Sequence, residues 1–197
     1  MNRNKYLILL AAAVVAALAI TYWPKKSEGY NPDTDKALQA AFEASARGEA
    51  LRKLVAETPE AEQRDMAYLI VNMPEHDREA MDLELLKENV TYANIARGKY
   101  QWAKELPEEV YLCDVLPYAV VDEVRASWRK DMYELFAPAV DTCKTMYDAI
   151  CAVNANIPAL TGVHYNTKRE KTNQSPSESI RQGMASCTGL SILLVDA

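Results

Sequence analysis

Apolar positions recur at helical spacing along most of the chain, and turn-forming residues cut that pattern into separate helices. Leu38, Ala41, Phe42, Leu51, Leu54 and Val55 mark one apolar face. They predict a helix from a cap at Asp33 or Thr34 to about Ala56. Thr58-Pro59-Glu60 restarts a helix with proline near its first turn, and Met66, Leu69, Ile70 and Met73 form its inner face. That helix ends at Met73-Pro74, because the residue before a proline avoids the helical region. Further helices are predicted from Leu83 to Gly98, from Pro107 to about Leu116-Pro117, and from Asp122 to Phe136 around Val124, Trp128, Met132 and Leu135. Another runs from Thr142 or Thr145 to about Ile157. No segment before residue 160 alternates with the period of a strand.

The texture changes at Leu160. Val163-His164-Tyr165 reads as a short extended piece, and Asn166 to Ser177 as a polar loop. A brief helix starts at Pro176 or Ser177, runs through Arg181 and stops at Gly183. Met184-Ala185-Ser186 is a tight connection, and Cys187 to Ala197 reads as a buried helix. That last helix carries no glycine, proline or basic stop signal, so a chain truncated at its carboxyl end is expected.

At the amino end, Arg3 and Lys5 precede 18 uncharged residues, Tyr6 to Trp23, rich in Leu, Ala and Val. Residues 1–23 are expected to be either a cleaved signal peptide or an uncleaved transmembrane anchor, with the body exported: periplasmic, extracellular or held at the membrane. Membrane contact is expected only through residues 6–23. The turn-rich stretch 24–33 reads as a linker, followed by a helical region, 34–158.

Composition adds exclusions. With 49% apolar and 25% charged residues the chain is of the folding kind. Residues 1–23 hold two bases and no acid, so the net charge of -6 leaves the remainder at -8. An acidic body repels phosphate backbones, and no nucleic-acid partner is expected. The basic group Lys168, Arg169 and Lys171 reads as a solvated loop. Cys113, Cys143, Cys151 and Cys187 form no CxxC pair, so neither a metal nor a cofactor is expected. Cys143 and Cys151 lie about 12 Å apart on one helix, too far to bridge each other. A Cys113–Cys143 or Cys113–Cys151 disulfide and free buried thiols both remain open. Tyr100, Trp102, Tyr111, Tyr118, Trp128 and Tyr133 either line a substrate cleft or pack as core.

The chemistry concentrates at Ser186-Cys187-Thr188-Gly189. Serine is a favoured helix cap, which puts Cys187 at the first helical position. Free N–H groups and the helix dipole there favour the thiolate, the nucleophilic form, and the same donors suit an oxyanion. The alternative for such a cysteine is plain packing.

Three stretches carry a resemblance: Val163 to Arg169, then Gln174-Ser175-Pro176-Ser177-Glu178-Ser179-Ile180, then Gly183-Met184-Ala185-Ser186-Cys187-Thr188-Gly189 with the apolar helix behind it. Together they resemble the transglutaminase-like superfamily, whose fold is papain-like. The match covers roughly residues 160–197. A softer likeness to the helical extensions of bacterial exported members lies in Tyr100 to Lys104, Leu112 to Tyr118, and Trp128-Arg129. The resemblance implies a chain that is mainly α, with the start of an α+β transglutaminase-like core over 159–197 and Cys187 as the catalytic nucleophile. It implies thiol acyl transfer, of peptidase or transglutaminase type, on a peptide or protein substrate, with cell-wall or cell-surface material as further candidates. The alternative is a non-catalytic binding or scaffold module at the cell surface.

The family's general base, a His, and its orienting Asp follow the nucleophile helix, and no residue here fills those roles. His76 and His164 both precede Cys187; His76 reads as solvated, and His164 either pairs with Cys187 or sits half-exposed beside the loop. The 197-residue chain is therefore expected to be inactive by itself.

Overall fold

The computed structural model describes residues 29–197. The expectations for residues 1–23, and for the first part of the linker, lie outside the described residues. Pro32–Ala197 forms one unit, and it is mainly helical.

Asp35 caps helix α1, Lys36–Glu43, by accepting the Ala37 and Leu38 N–H groups. One helix was expected as far as Ala56, but the chain turns at residues 44–47 and restarts as α2, Gly48–Glu57. The reason sits at Gly48: a Cβ there would lie 2.0 Å from the Phe42 carbonyl oxygen. Only glycine lets the two backbones approach so closely, and the turn lets both apolar faces bury. Arg47 fixes it by donating to Met81 O at 2.7 Å.

A 3-10 turn, Glu60–Glu62, leads into α3, Gln63–Asn72, which stops before Pro74 as expected and buries Met66, Leu69 and Ile70. The short α4, Glu75–Ala80, was not anticipated; His76 lies in its first turn, exposed. Asp82 caps α5, Leu83–Lys99, and α6, Gln101–Lys104, follows at once. A single turn, α7, Glu108–Val110, widens into a π-helical turn, Tyr111–Val115. Helices α8, Arg129–Val140, and α9, Met146–Thr161, pack on each other, and Thr145 caps α9.

The helix expected from Asp122 begins only at Arg129. Residues 117–128 are irregular, because side chains take over their backbone groups. The buried Glu123 carboxylate accepts from Val120 N and Val121 N at 2.7 and 2.9 Å, and Arg125 donates to Glu123 O. Val124, assigned to the apolar face, is exposed. Asp77 anchors the segment from α4 by accepting from Tyr118 Oη and Arg125 Nε. The Trp128 indole donates to Tyr118 O.

Strand β1, His164–Tyr165, follows α9. The helix α10, Pro176–Gln182, then leads to β2, Met184–Ala185, and to α11, Cys187–Asp196. The strands pair in parallel, His164 opposite Met184 and Tyr165 opposite Ala185. Trp128, Met132, Phe136, Val153, Ile157, Val163, Ala185 and Leu193 share one core, so α11 closes over α8 and α9.

Among the described residues no helix is long and apolar enough to cross a membrane. The transmembrane expectation is corrected accordingly; the segment on which it rested, 6–23, lies outside the described residues.

One cluster ties three of these parts together. Buried Asn89 of α5 donates to Leu116 O at 2.7 Å and accepts from Arg129 Nε at 2.7 Å. Arg129 also donates to Val115 O and Pro117 O at 2.8 Å each. Replacing Asn89 by Ala leaves a guanidinium N–H and a carbonyl unmatched. We expect Asn89→Ala to lower the unfolding free energy in urea by about 2–4 kcal/mol. Ser127→Ala, which loses only an exposed bond to Glu88, is expected to cost less than about 0.5 kcal/mol.

Candidate functional site

The carboxyl-terminal segment is built from local rules that meet at Cys187. Ser175 and Glu178 form a capping box on α10: the Ser175 hydroxyl accepts from Glu178 N, and the Glu178 carboxylate accepts from Ser175 N at 2.9 Å. Gly183 ends α10 in the left-handed region, φ +63, which turns the chain straight into β2. Gln174 lies wholly buried beneath. Its amide nitrogen donates to Met184 O at 3.0 Å and its oxygen accepts from Ser186 N at 3.3 Å, locking the connection into α11.

Ser186 is the cap, as expected. Its hydroxyl accepts from Gly189 N at 2.9 Å and donates to Thr172 O at 2.6 Å. A Cβ at Gly189 would stand 3.1 Å from the Ala185 Cβ and 3.3 Å from Gln174 Oε1, so glycine lets the helix start sit on this scaffold. Leu190 N donates to Ser186 O. The Cys187 and Thr188 N–H groups are then left without an acceptor among the described residues.

Cys187 is free and exposed at the first position of α11, while Gly189, Ile192, Leu193 and Asp196 of the same helix are buried. Its sulfur makes no hydrogen bond to any described residue. His164 faces Met184 in the strand register, three residues before Cys187, and is exposed. The structure thus sets His164 near the site without joining it to the thiol. The other cysteines are also free, which sets aside the disulfide reading, and the buried-thiol reading is corrected too: Cys113 and Cys151 are exposed and Cys143 is half-buried. Cys113 Sγ lies 3.3 Å from Tyr68 Oη. Among the described residues no group of three or more His, Cys, Asp or Glu side chains is placed to hold a metal ion.

A second feature lies at the far end of α11, about 10–15 Å along the helix from Cys187. A cavity of about 460 Å³ opens between α5, α6, the Tyr111–Val115 turn, α8, α9 and the last turn of α11. Of the six aromatics singled out from the sequence, Tyr100, Trp102, Tyr111 and Tyr133 line it. Tyr118 and Trp128 instead pack in the body through Asp77 and the core. Tyr100 and Trp102 stack at 5.0 Å between ring centroids. Within these apolar walls two polar atoms are buried without partners, Trp102 Nε1 and Asp196 Oδ2.

Asp196 was not singled out from the sequence, although a lone acid in an otherwise apolar helix was a signal for a buried group. Burial, and then the neighbouring Glu123 carboxylate, push its carboxyl up to about 8, against the pull of Arg129. Gln174 was quoted only within the resemblance, and nothing in the one-dimensional pattern marks it as the brace of the helix start.

Two outcomes follow. Gln174→Leu strands Met184 O and Ser186 N in the interior, and we expect a loss of about 2–4 kcal/mol in urea unfolding. For Asp196 the raised folded value means the native state holds its proton more tightly than the unfolded chain. Its contribution is therefore full at low pH and is lost as pH rises from about 4 to about 8. Unfolding free energies of the parent and of Asp196→Asn, measured across that range, are expected to diverge in the variant's favour with rising pH and to run parallel above it.

No family model, no curated protein and no solved structure matches this chain.

Proposed function

We propose that this chain carries the nucleophile of an exported, transglutaminase-like thiol enzyme that transfers or hydrolyses acyl groups on peptide or protein substrates. The observation that supports it most is the setting of Cys187: an exposed thiol at the first position of a buried helix, next to two unclaimed backbone N–H groups. In that setting the thiolate attacks the substrate carbonyl carbon, and the Cys187 and Thr188 N–H groups face the oxyanion that forms. Collapse of the tetrahedral species breaks the C–N bond, the amine leaves with a proton, and a thioester remains for water or another amine to attack. β1, α10, β2 and α11 are, on this proposal, the first elements of the papain-like α+β core.

The proton on the sulfur, and the one the leaving amine requires, need a base and an acid that no described residue presents to Cys187. The described residues alone therefore form no turnover-competent site.

A second reading, a binding module that performs no chemistry, draws its support from the cavity at the other end of α11.

The three exposed cysteines supply an internal standard. Alkylation by iodoacetamide at pH 7, followed site by site by mass spectrometry, is expected to proceed at Cys187 at least about tenfold faster than at Cys113 and Cys151. No turnover of a glutaminyl peptide is expected. Equal rates at the three sites would leave Cys187 as a packing residue and sink the proposal.

A further inference from the structure

We infer that Gln174 is a positioning residue for Cys187: its side-chain amide holds the first turn of α11 so that the Cys187 and Thr188 N–H groups face the oxyanion of an acyl substrate. The inference rests on the reading of Cys187 as an acyl-accepting nucleophile.

The N–H groups around Cys187 are unevenly claimed. Ser186 N donates to Gln174 Oε1, Gly189 N to Ser186 Oγ and Leu190 N to Ser186 O. Between them, Cys187 N and Thr188 N have no acceptor among the described residues. Gln174 and Ser186 thus close the donors on either side and leave open the two that adjoin the sulfur. Helix ends fray, and a frayed start lets the direction of its open donors drift.

The contacts of Gln174 set that direction. Its Nε2 donates to Met184 O at 3.0 Å and its Oε1 accepts from Ser186 N at 3.3 Å. One planar amide therefore spans the junction between β2 and α11. The strand pair offers no substitute for the second bond, because β1 ends at Tyr165, opposite Ala185. A Cβ at Gly189 would stand 3.3 Å from Gln174 Oε1 and 3.5 Å from Gln174 Cβ, so the first turn of α11 rests on the Gln174 side chain itself. Gln174 is wholly buried and directly precedes Ser175, the cap of α10, which fixes its own place. Buried and turned to the backbone, it acts on a substrate only through the helix start.

Oxyanion donors act at about 2.7–3.1 Å from the oxygen, and a misplacement of about 1 Å can cost about a hundredfold in rate. Alkylation forms no oxyanion and is blind to that alignment. Two reactions of one sulfur therefore separate the aim of the donors from the state of the thiol.

The experiment compares acylation by p-nitrophenyl acetate with alkylation by iodoacetamide at pH 7, each followed at Cys187, Cys113 and Cys151 by mass spectrometry. In the acylation the sulfur bonds to the acetyl carbon, the C–O bond breaks and p-nitrophenolate leaves without a proton; the thiol proton goes to the buffer. The 197-residue parent is expected to acylate Cys187 at least about tenfold faster than the other two. Gln174→Met keeps the length of the side chain and loses both bonds. It is expected to lower the ratio of acylation to alkylation at Cys187 about tenfold, with the ratios at Cys113 and Cys151 unchanged. Asn89→Ala, which loses buried bonds elsewhere, is expected to keep the parent ratio. Gln174→Asn, one methylene too short to make both bonds, is expected to lower the ratio as well, and it decides the matter if Gln174→Met does not fold. A parent ratio in the folded Gln174 variant, or an equal fall in Asn89→Ala, overturns the inference and leaves the reading of Cys187 standing. Equal rates at the three cysteines of the parent overturn that reading and the inference with it.

Discussion

The carbonyls of Val115, Leu116 and Pro117 point away from any regular element, and the fold depends on how they are satisfied. A π-helical turn ends there and an irregular stretch begins, so no ladder takes those acceptors. Asn89 from α5 and Arg129 from the start of α8 take all three. The same two side chains bond each other, which fixes the distance between their helices. Burial lowers the Arg129 guanidinium to about 10, yet it stays charged at neutral pH, so its bonds are of the stronger, charge-assisted kind. From this point α8 sets the position of α9, and both set the bed on which α11 lies.

Much of the helical layout was legible because its signals are local. Pro74, Asp82, Gly183 and the Ser175–Glu178 pair act within one turn of the residues they punctuate. Ser186 is the best case, since a cap followed by an apolar run has few alternatives. The misreadings share the opposite cause. The break at residues 44–47 rests on Gly48 meeting the Phe42 carbonyl, a contact that no hydrophobic period encodes. Residues 122–128 have a helical pattern of apolar positions, but Asp77, from another part of the chain, holds Tyr118 and Arg125. Tertiary partners there outweigh propensity. Of Cys113, Cys143 and Cys151, for which buried thiols were one of two readings, Cys113 and Cys151 are exposed because they fall on outer faces of their turn or helix.

At the site, the pattern gave the position of Cys187 at a helix start and not the support of that start. Caps and glycines announce where a helix starts. They do not announce which distant side chain braces the start, and Gln174 does so from an irregular loop. Asp196 was hidden for a related reason. A single acid in an apolar helix has two fates, solvent or interior, and only the packing of α11 on α8 and α9 selects the interior.

Helix α11 therefore presents two unlike ends on one rigid rod. Its start exposes a sulfur and two unclaimed donors, where charge is favoured by the helix dipole. Its last turn buries a carboxyl in an apolar space, where charge is disfavoured and the proton stays on. The middle, Ile192 and Leu193, is fully packed, so neither end can move far without the core moving too. Separation along the rod means that the thiol and the cavity answer to different forces. Alkylation at Cys187 reads the helix start alone and says nothing of the cavity.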